Sequence, residues 1–234
     1  MKRLICFDLD GTLTQHRSPL EERNRALLDR LAERYKLLMV GAGAAERIHR
    51  QMGGYPIDII GNYGMEEAHI VDGCFTLVRK EKSHPDRAYF TEKIAYLREK
   101  YGYTDFRGEG VEFHATGMVT FPLLGTGAAV ADKLVFDPTR EKRRVMYGEI
   151  LELFRDFTVY IGGSSSFDFS EKKYNKYDAI MAYAGREGYT RDEILYVGDD
   201  FGDGGGDSHV RLGGMDYIEV TDYRTLPDLL AYLL

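Results

Sequence analysis

Leu4-Ile5-Cys6-Phe7-Asp8-Leu9-Asp10-Gly11-Thr12-Leu13-Thr14 decides how this chain is read. An apolar run ends in two carboxylates one residue apart and then turns on a glycine. Alternate side chains of a strand share a face, so Asp8 and Asp10 are expected side by side at the strand's C-terminal end. That is where open α/β sheets bind their ligands. Two acids this close repel unless a cation lies between them or one takes a proton. One can then attack as a nucleophile while its neighbour moves a proton. An acidic helix cap would account for one of the aspartates, but not for both together with the glycine.

Outward from this stretch, strand and helix alternate. Ser18-Pro19-Leu20-Glu21 reads as a capping box with proline at the first helical position, and Leu20, Leu27, Leu28 and Leu31 recur at helical spacing. Residues 36–40 read as a buried strand entering the turn Gly41-Ala42-Gly43. A helix through Arg47 and Met52 ends at Gly53-Gly54, and residues 57–60 give a third strand. This βαβαβ order predicts a parallel sheet with right-handed crossovers. Asp72-Gly73 marks a hairpin between residues 68–71 and 74–78. After Lys80 the pattern changes to a helix over 86–100, short strands over 111–115 and 118–121, and a Gly- and Ala-rich loop over 122–132. A helix opened by Asp137-Pro138 and strands over 158–161 and 166–169 complete the block. From Tyr174 the first rhythm returns, with a helix to Glu187, strands over 194–197 and 216–220, and a last helix with Leu226, Leu229, Leu230 and Leu233 on one face. The fold expected is an α/β core of residues 1–81 and 171–234, with an α+β domain of residues 82–170 inserted as a cap.

Composition narrows the function classes. The chain has 234 residues, 44% of them hydrophobic and 29% charged, as in an ordinary globular protein. Its net charge of −7 offers no basic stripe to neutralise a nucleic-acid backbone. The densest basic run, Arg140-Glu141-Lys142-Arg143-Arg144, reads as a solvated helix face. Cys6 and Cys74 read as buried free thiols, with no disulfide or zinc pattern. No signal peptide or membrane-length apolar run is evident, so a cytoplasmic protein without membrane or nucleic-acid partners is expected.

Two further segments carry chemistry. Lys176 opens the helix that follows the inserted block. Gly198-Asp199-Asp200-Phe201-Gly202-Asp203-Gly204-Gly205-Gly206-Asp207 places four carboxylates and five glycines in ten residues at a strand end. Hard oxygen ligands at a strand tip suit Mg²⁺, which keeps waters and takes one or two carboxylates plus a phosphate oxygen. The loop's carboxylates, Asp199 and Asp207 among them, are thus candidate metal ligands, as are Asp8 and Asp10, whose repulsion a cation would relieve.

These motifs resemble those of the haloacid dehalogenase superfamily, whose first motif reads D-x-D-G-T. The resemblance implies a Rossmann-like core with a C2-type cap. It implies that Asp8 forms an aspartyl-phosphate, that Asp10 is general acid and base, and that Lys176, Asp199 and Asp207 supply the later motifs. Within the superfamily the pattern is most similar to eukaryotic-type phosphomannomutases. Asp8 to Thr14 with Arg17 matches D-x-D-G-T-L-T-x-x-R, and Gly162-Gly163 with Ser166-Phe167-Asp168 matches GG-x-x-S-F-D. Gly204-Gly205-Gly206-Asp207 and Gly117-Met118 also match. The resemblance implies a cap with a four-stranded antiparallel sheet and two helices, and pairing of two copies through their caps. It also implies Mg²⁺ on Asp8, the main-chain carbonyl of Asp10 and Asp199. Arg17, Ser166 and Asp168 are candidates for substrate contacts.

The departures are as informative. The family's second-motif Ser or Thr falls at Gly43, so a main-chain amide or a water must contact the phosphoryl group there. A clamp arginine expected after Gly125 is Thr126, and another falls at residues 114–116. Threonine has no equivalent of a bidentate guanidinium–phosphate contact. The function expected is therefore Mg²⁺-dependent hydrolysis of a small phosphorylated metabolite, most simply a sugar phosphate. The alternatives are a phosphomannomutase whose cap uses Lys133 or the basic run from Arg140, and a catalytically silent binding protein.

Overall fold

The apolar run at the N-terminus forms strand β1 (Leu4–Phe7) in a computed structural model that describes residues 1–234. The chain divides into two units. The first contains Met1–Glu81, Tyr174–Asp203 and Asp207–Leu234, and the second contains Lys82–Lys173 with Gly204–Gly206. In the first unit β1 lies between two parallel neighbours, β2 (Lys36–Val40) and β10 (Ile194–Gly198). Outside these lie β3 (Asp58–Gly61) and β11 (Asp216–Glu219), also parallel. β4 (Glu66–Val71) and β5 (Cys74–Lys80) extend one edge antiparallel, giving the order β11-β10-β1-β2-β3-β4-β5. Asp72 and Gly73 have φ of 50° and 77°, the left-handed pair that a two-residue hairpin needs.

Both faces of the sheet are covered, which is why its strands are continuously apolar. Ile5 and Phe7 share a core with Leu27, Leu28 and Leu31 of α1 (Glu22–Ala32). Leu4 and Cys6 point the other way, toward Ile180, Tyr183 and Ala184 of α6 (Lys176–Glu187). Helix α2 (Ala45–Gln51) connects β2 to β3, α7 (Ser208–Leu212) connects β10 to β11, and α8 (Leu226–Leu229) lies near the C-terminus. No helix is long and apolar enough to cross a membrane.

The second unit is an antiparallel sheet of β6 (Glu112–Phe113), β7 (Val119–Pro122), β9 (Ser166–Glu171) and β8 (Phe157–Tyr160), in that order. Helices α3 (Arg87–Tyr101) and α5 (Glu141–Leu153) supply Phe90, Met146 and Ile150 to its core, with Phe154, Phe167 and Phe169. Phe154 stacks on Phe90 at 4.9 Å between ring centroids and lies 4.6 Å from Phe169.

Several expectations are corrected. Helix α1 starts at Glu22, and Glu21 occupies the cap without a side-chain hydrogen bond, so the Ser18 box does not form. The loop over 122–132 gives way to a short helix, α4 (Val130–Phe136), none of whose residues is buried. The helix after Asp137-Pro138 begins only at Glu141, because Asp137 turns its carboxylate to the main-chain N–H groups of Lys142 and Arg143. Cys74 is exposed, since β5 is the sheet edge and Cys74 follows the hairpin turn.

Arg143 is the largest correction, because it is buried rather than solvated. Its Nε donates to Asp137 at 2.9 Å, and a terminal nitrogen donates to the carbonyls of Gly162, Gly163 and Ser166. Removing one partner of a buried ion pair leaves an uncompensated charge, at a cost of about 3–5 kcal/mol. Asp137→Ala is expected to lower urea-unfolding stability by about that amount. Arg144→Ala, at an exposed neighbour, should change it by less than about 0.5 kcal/mol. Equal effects would contradict this account of the basic run.

Candidate active site

The side-chain alternation of β1 and β10 builds the site. Cys6 is paired with Tyr196, both on the α6 side of the sheet. One step further, the Asp8 N–H donates to the Val197 carbonyl at 2.9 Å. Asp8 therefore emerges above α6, whose first residue is Lys176 after the cap residue Asn175. Lys176 Nζ donates to Asp8 Oδ1 at 2.6 Å, Asp207 Oδ1 at 2.7 Å and the Tyr196 hydroxyl at 3.1 Å. Tyr196 in turn donates to Asp207 Oδ1 at 2.6 Å, and Asp207 Oδ2 accepts the main-chain N–H groups of Asp199 and Asp200. The Lys176 and Asp207 side chains are 3% and 1% exposed.

Asp199 completes the group. Its Oδ1 accepts from the Thr12 hydroxyl at 3.0 Å, while Oδ2 lies against Gly11. A Cβ at Gly11 would stand 2.4 Å from that oxygen, and Gly11 has φ of +97°, so only glycine serves there. One oxygen each from Asp8, Asp199 and Asp207 lies within 4.8 Å of the others. A groove of about 540 Å³ opens beside Gly11 and Asp199, with His16, Thr221 and Tyr223 among its walls.

Electrostatics separates these acids. Burial, reinforced by the Asp207 and Asp199 charges, pushes Asp8 well above the carboxylate range against the opposing Lys176. Burial and the Asp207 charge push Asp199 up to about 6. Asp207 is also buried, but Lys176, Tyr196 and the Asp200 N–H hold it low. Lys176 is raised because the charges of Asp207 and Asp8 outweigh its burial. Three ionised carboxylates around one ammonium carry an excess of two negative charges, which a divalent cation would relieve. Both oxygens of Asp207 are occupied by donors, so its part is to hold Lys176 and the Asp199 backbone. Asp8 and Asp199 are the carboxylates that fit Mg²⁺, which takes one or two such ligands with waters.

Asp10 lies past the end of β1 and has its own set of donors. The strand ends at Phe7, and the loop returns on itself through an Asp10–Thr14 bridge. Asp10 Oδ1 accepts from Gln51 and from the Arg17 N–H, both at 2.7 Å, and Oδ2 meets the Arg47 guanidinium at 3.4 Å. Burial pushes Asp10 up, but these donors outweigh it and hold it below its ordinary value. Arg17 serves Asp10 through its main chain; it is exposed with φ of 58°. Gly43 lies under the Arg47 guanidinium.

Ser166 and Asp168 belong to the second unit. The Ser166 hydroxyl donates to the Gly162 carbonyl at 3.0 Å, and Asp168 accepts from Thr120 at 2.6 Å. Since the Thr120 proton goes to Asp168, His114 Nε2 donates to the Thr120 oxygen at 2.9 Å. Sequence reasoning missed Tyr196, Thr12, Arg47 and Gln51. Tyr196 alone carried a signal, as a polar group in an apolar strand on the Asp8 face.

No family model matches the chain. It is 24% identical over 237 residues to a phosphomannomutase of Saccharomyces cerevisiae, covering 95% of this chain and 87% of that one. It is 28% identical over 223 residues to a phosphomannomutase of Arabidopsis thaliana, covering 88% and 86%. Among solved structures, a truncated IMP-nucleotidase of Plasmodium falciparum superposes with a TM-score of 0.68 at 15% identity, covering all of this chain and 70% of that one. A phosphatase of the haloalkanoate (HAD) superfamily from Bacteroides thetaiotaomicron gives 0.65 at 14% identity, covering 100% and 95%. The chain shares the α/β fold of these solved structures.

Asp199 tests the electrostatics directly. Its folded-state value of about 6 lies above its ordinary 3.8, so the folded chain keeps this proton longer than the unfolded one. Metal-free stability should fall as pH rises from about 4 to about 6, with the full penalty present above. Asn keeps the acceptor for Thr12 and removes the charge. Asp199→Asn should raise the metal-free Tm at pH 7.5 by several degrees, and lose that advantage at pH 4 or in saturating Mg²⁺. A variant less stable than wild type at pH 7.5 without metal would contradict the charge crowding.

Proposed function

We propose that this haloacid dehalogenase-like enzyme is a Mg²⁺-dependent phosphohydrolase of a small phosphorylated metabolite, most simply a sugar phosphate. The observation that carries the reading is the state of Asp8. Lys176 fixes its Oδ1, which leaves Oδ2 to attack, and an oxygen of Asp8 lies within 4.8 Å of one of Asp199. Asp8 Oδ2 bonds to phosphorus as the bond to the leaving oxygen breaks, and Asp10 gives that oxygen a proton. Asp10 then takes a proton from water, which attacks phosphorus and frees Asp8 and inorganic phosphate. Held by Asp8 and Asp199, Mg²⁺ would neutralise charge on the transferring group. Asp10 enters as an acid only after its contacts with Gln51, the Arg17 N–H and Arg47 loosen, since these favour its ionised form.

Hydrolysis is favoured over phosphoryl return by the commitments within the second unit. Thr126 Oγ1 accepts from the Glu109 N–H, Lys133 Nζ donates to the Thr126 carbonyl, and Arg143 holds Asp137 and the loop carbonyls. Lys133 and Arg143 thus have structural partners, and no guanidinium follows Gly125 to clamp a second phosphate. A charged bidentate contact contributes about 1.5–3 kcal/mol, so two missing ones weaken retention of a bisphosphate by roughly two to four powers of ten. The second reading is a phosphomannomutase, favoured by the similarity to enzymes of that name.

Supplying mannose 1-phosphate with its 1,6-bisphosphate and following both products by ³¹P NMR separates the readings. Inorganic phosphate is expected to accumulate faster than the 6-phosphate; the reverse order would restore the mutase. Asp8→Asn should lower phosphate release by at least about a thousandfold while the protein stays folded. Asp199→Ala should abolish dependence on Mg²⁺ along with activity. Asp203→Ala should leave activity within about twofold, because Asp203 is exposed and pairs with Arg211. Equal losses at 199 and 203 would overturn this reading of the acidic loop.

A further inference from the structure

Gly43 closes the turn after β2, the strand next to β1. A Cβ built there would lie 2.1 Å from a terminal nitrogen of Arg47 and 2.6 Å from its Cζ. The guanidinium therefore occupies the space that any side chain at position 43 would take. Arg47 and Gln51 stand one turn apart on α2, and Arg47 donates to Gln51 Oε1 at 2.7 Å. Gln51 donates onward to Asp10 at 2.7 Å and Thr14 at 3.0 Å. By contrast, both guanidinium contacts with Asp10 Oδ2 are long, at 3.4 and 3.5 Å, where a charge-assisted bond is ordinarily about 2.7–2.9 Å. The Arg47 side chain is 40% exposed, so it can shift to a better acceptor without leaving a buried gap.

The other cation of the site has no donor to spare. An ammonium carries three protons, and those of Lys176 face Asp8, Asp207 and Tyr196. A phosphoryl dianion meeting Asp8 Oδ2 must draw its charged hydrogen bonds from another group. We propose that Arg47 is a phosphate-binding residue of this chain, its guanidinium taking the place of the side chain that position 43 lacks. As the fork moves from Asp10 to the phosphoryl oxygens, Asp10 loses one of the contacts that keep it ionised. This rests on the phosphohydrolase reading, in which Asp10 must reach the oxygen leaving phosphorus. A group touching Asp10 is then within reach of the phosphoryl oxygens.

The experiment is calorimetric titration of the full chain with inorganic phosphate in saturating Mg²⁺, for wild type, Arg47→Met, Gly43→Ala and the double variant. Gly43→Ala keeps the arginine but forces it off its seat. Each single variant should raise the phosphate Kd about tenfold or more. The double should be no worse than about twofold beyond the weaker single, because both remove one contact. A Kd for Arg47→Met within about twofold of wild type, or losses that multiply in the double, would overturn the proposal. Should Gly43→Ala fail to fold, Arg47→Met, at a half-exposed helix position, decides alone. A wild type that binds phosphate through Arg47 but hydrolyses no phosphate ester keeps this proposal and removes the phosphohydrolase. A hydrolase indifferent to Arg47→Met does the opposite.

Discussion

The Lys176 ammonium is buried between two carboxylates, and the geometry of the candidate site descends from that contact. It joins the end of β1 to the start of α6 across 168 positions, and α6 to the loop before α7 across 31. Desolvating three charges costs as much as their attraction returns, so such a cluster is poor at stabilising a fold. Its physical effect is placement. With Asp207 held on one oxygen by Lys176 and Tyr196, its other oxygen draws in the N–H groups of Asp199 and Asp200. That sets the backbone from which Asp199 faces Gly11 and Asp8. One ammonium thereby fixes Asp8 and Asp207 directly, and Asp199 through Asp207.

The two aspartates of the first motif end up in opposite environments. Asp8 is pushed toward its protonated form and Asp10 toward its ionised form, each the reverse of its proposed part in the first chemical step. On the proposed mechanism, a cation at Asp8 and Asp199 would restore the nucleophile's charge, and an acceptor that draws Arg47 away would remove one of the three contacts that keep Asp10 ionised. Metal and phosphate together would then convert the resting arrangement, and proton transfer would depend on the presence of substrate. The loose 3.4 Å contact between Arg47 and Asp10 is the part of the site suited to such a change.

The sequence made legible what depends on backbone periodicity. The parallel order, the Asp72-Gly73 hairpin and the position of Lys176 at a helix start all follow from apolar spacing and turn residues. Asp8 and Asp199 follow adjacent parallel strands that end on the same side of the sheet, whereas Lys176 and Asp207 entered through the motif resemblance. What failed were inferences from residue type without a partner. Arg143 lies in a basic run, and its burial is decided by Asp137 and three carbonyls that no spacing rule brings to it. Asp10 lies past the end of β1, so its partners, Gln51 and the Arg17 N–H, come from α2 and the loop and not from the ladder. Cys74 follows an apolar pattern on an edge strand, where one face meets no helix. Arg47 was invisible because its place is defined by an atom that Gly43 does not have.

The central claim is that Asp8 Oδ2 is the attacking oxygen while Lys176 holds Oδ1. A crystal structure with Mg²⁺ and beryllium trifluoride, which mimics a phosphoryl group on a carboxylate, tests it most directly. Beryllium is predicted on Asp8 Oδ2, with Asp199 among the Mg²⁺ ligands and Lys176 still on Oδ1. Beryllium on another carboxylate, or a metal bound without Asp199, would contradict the account.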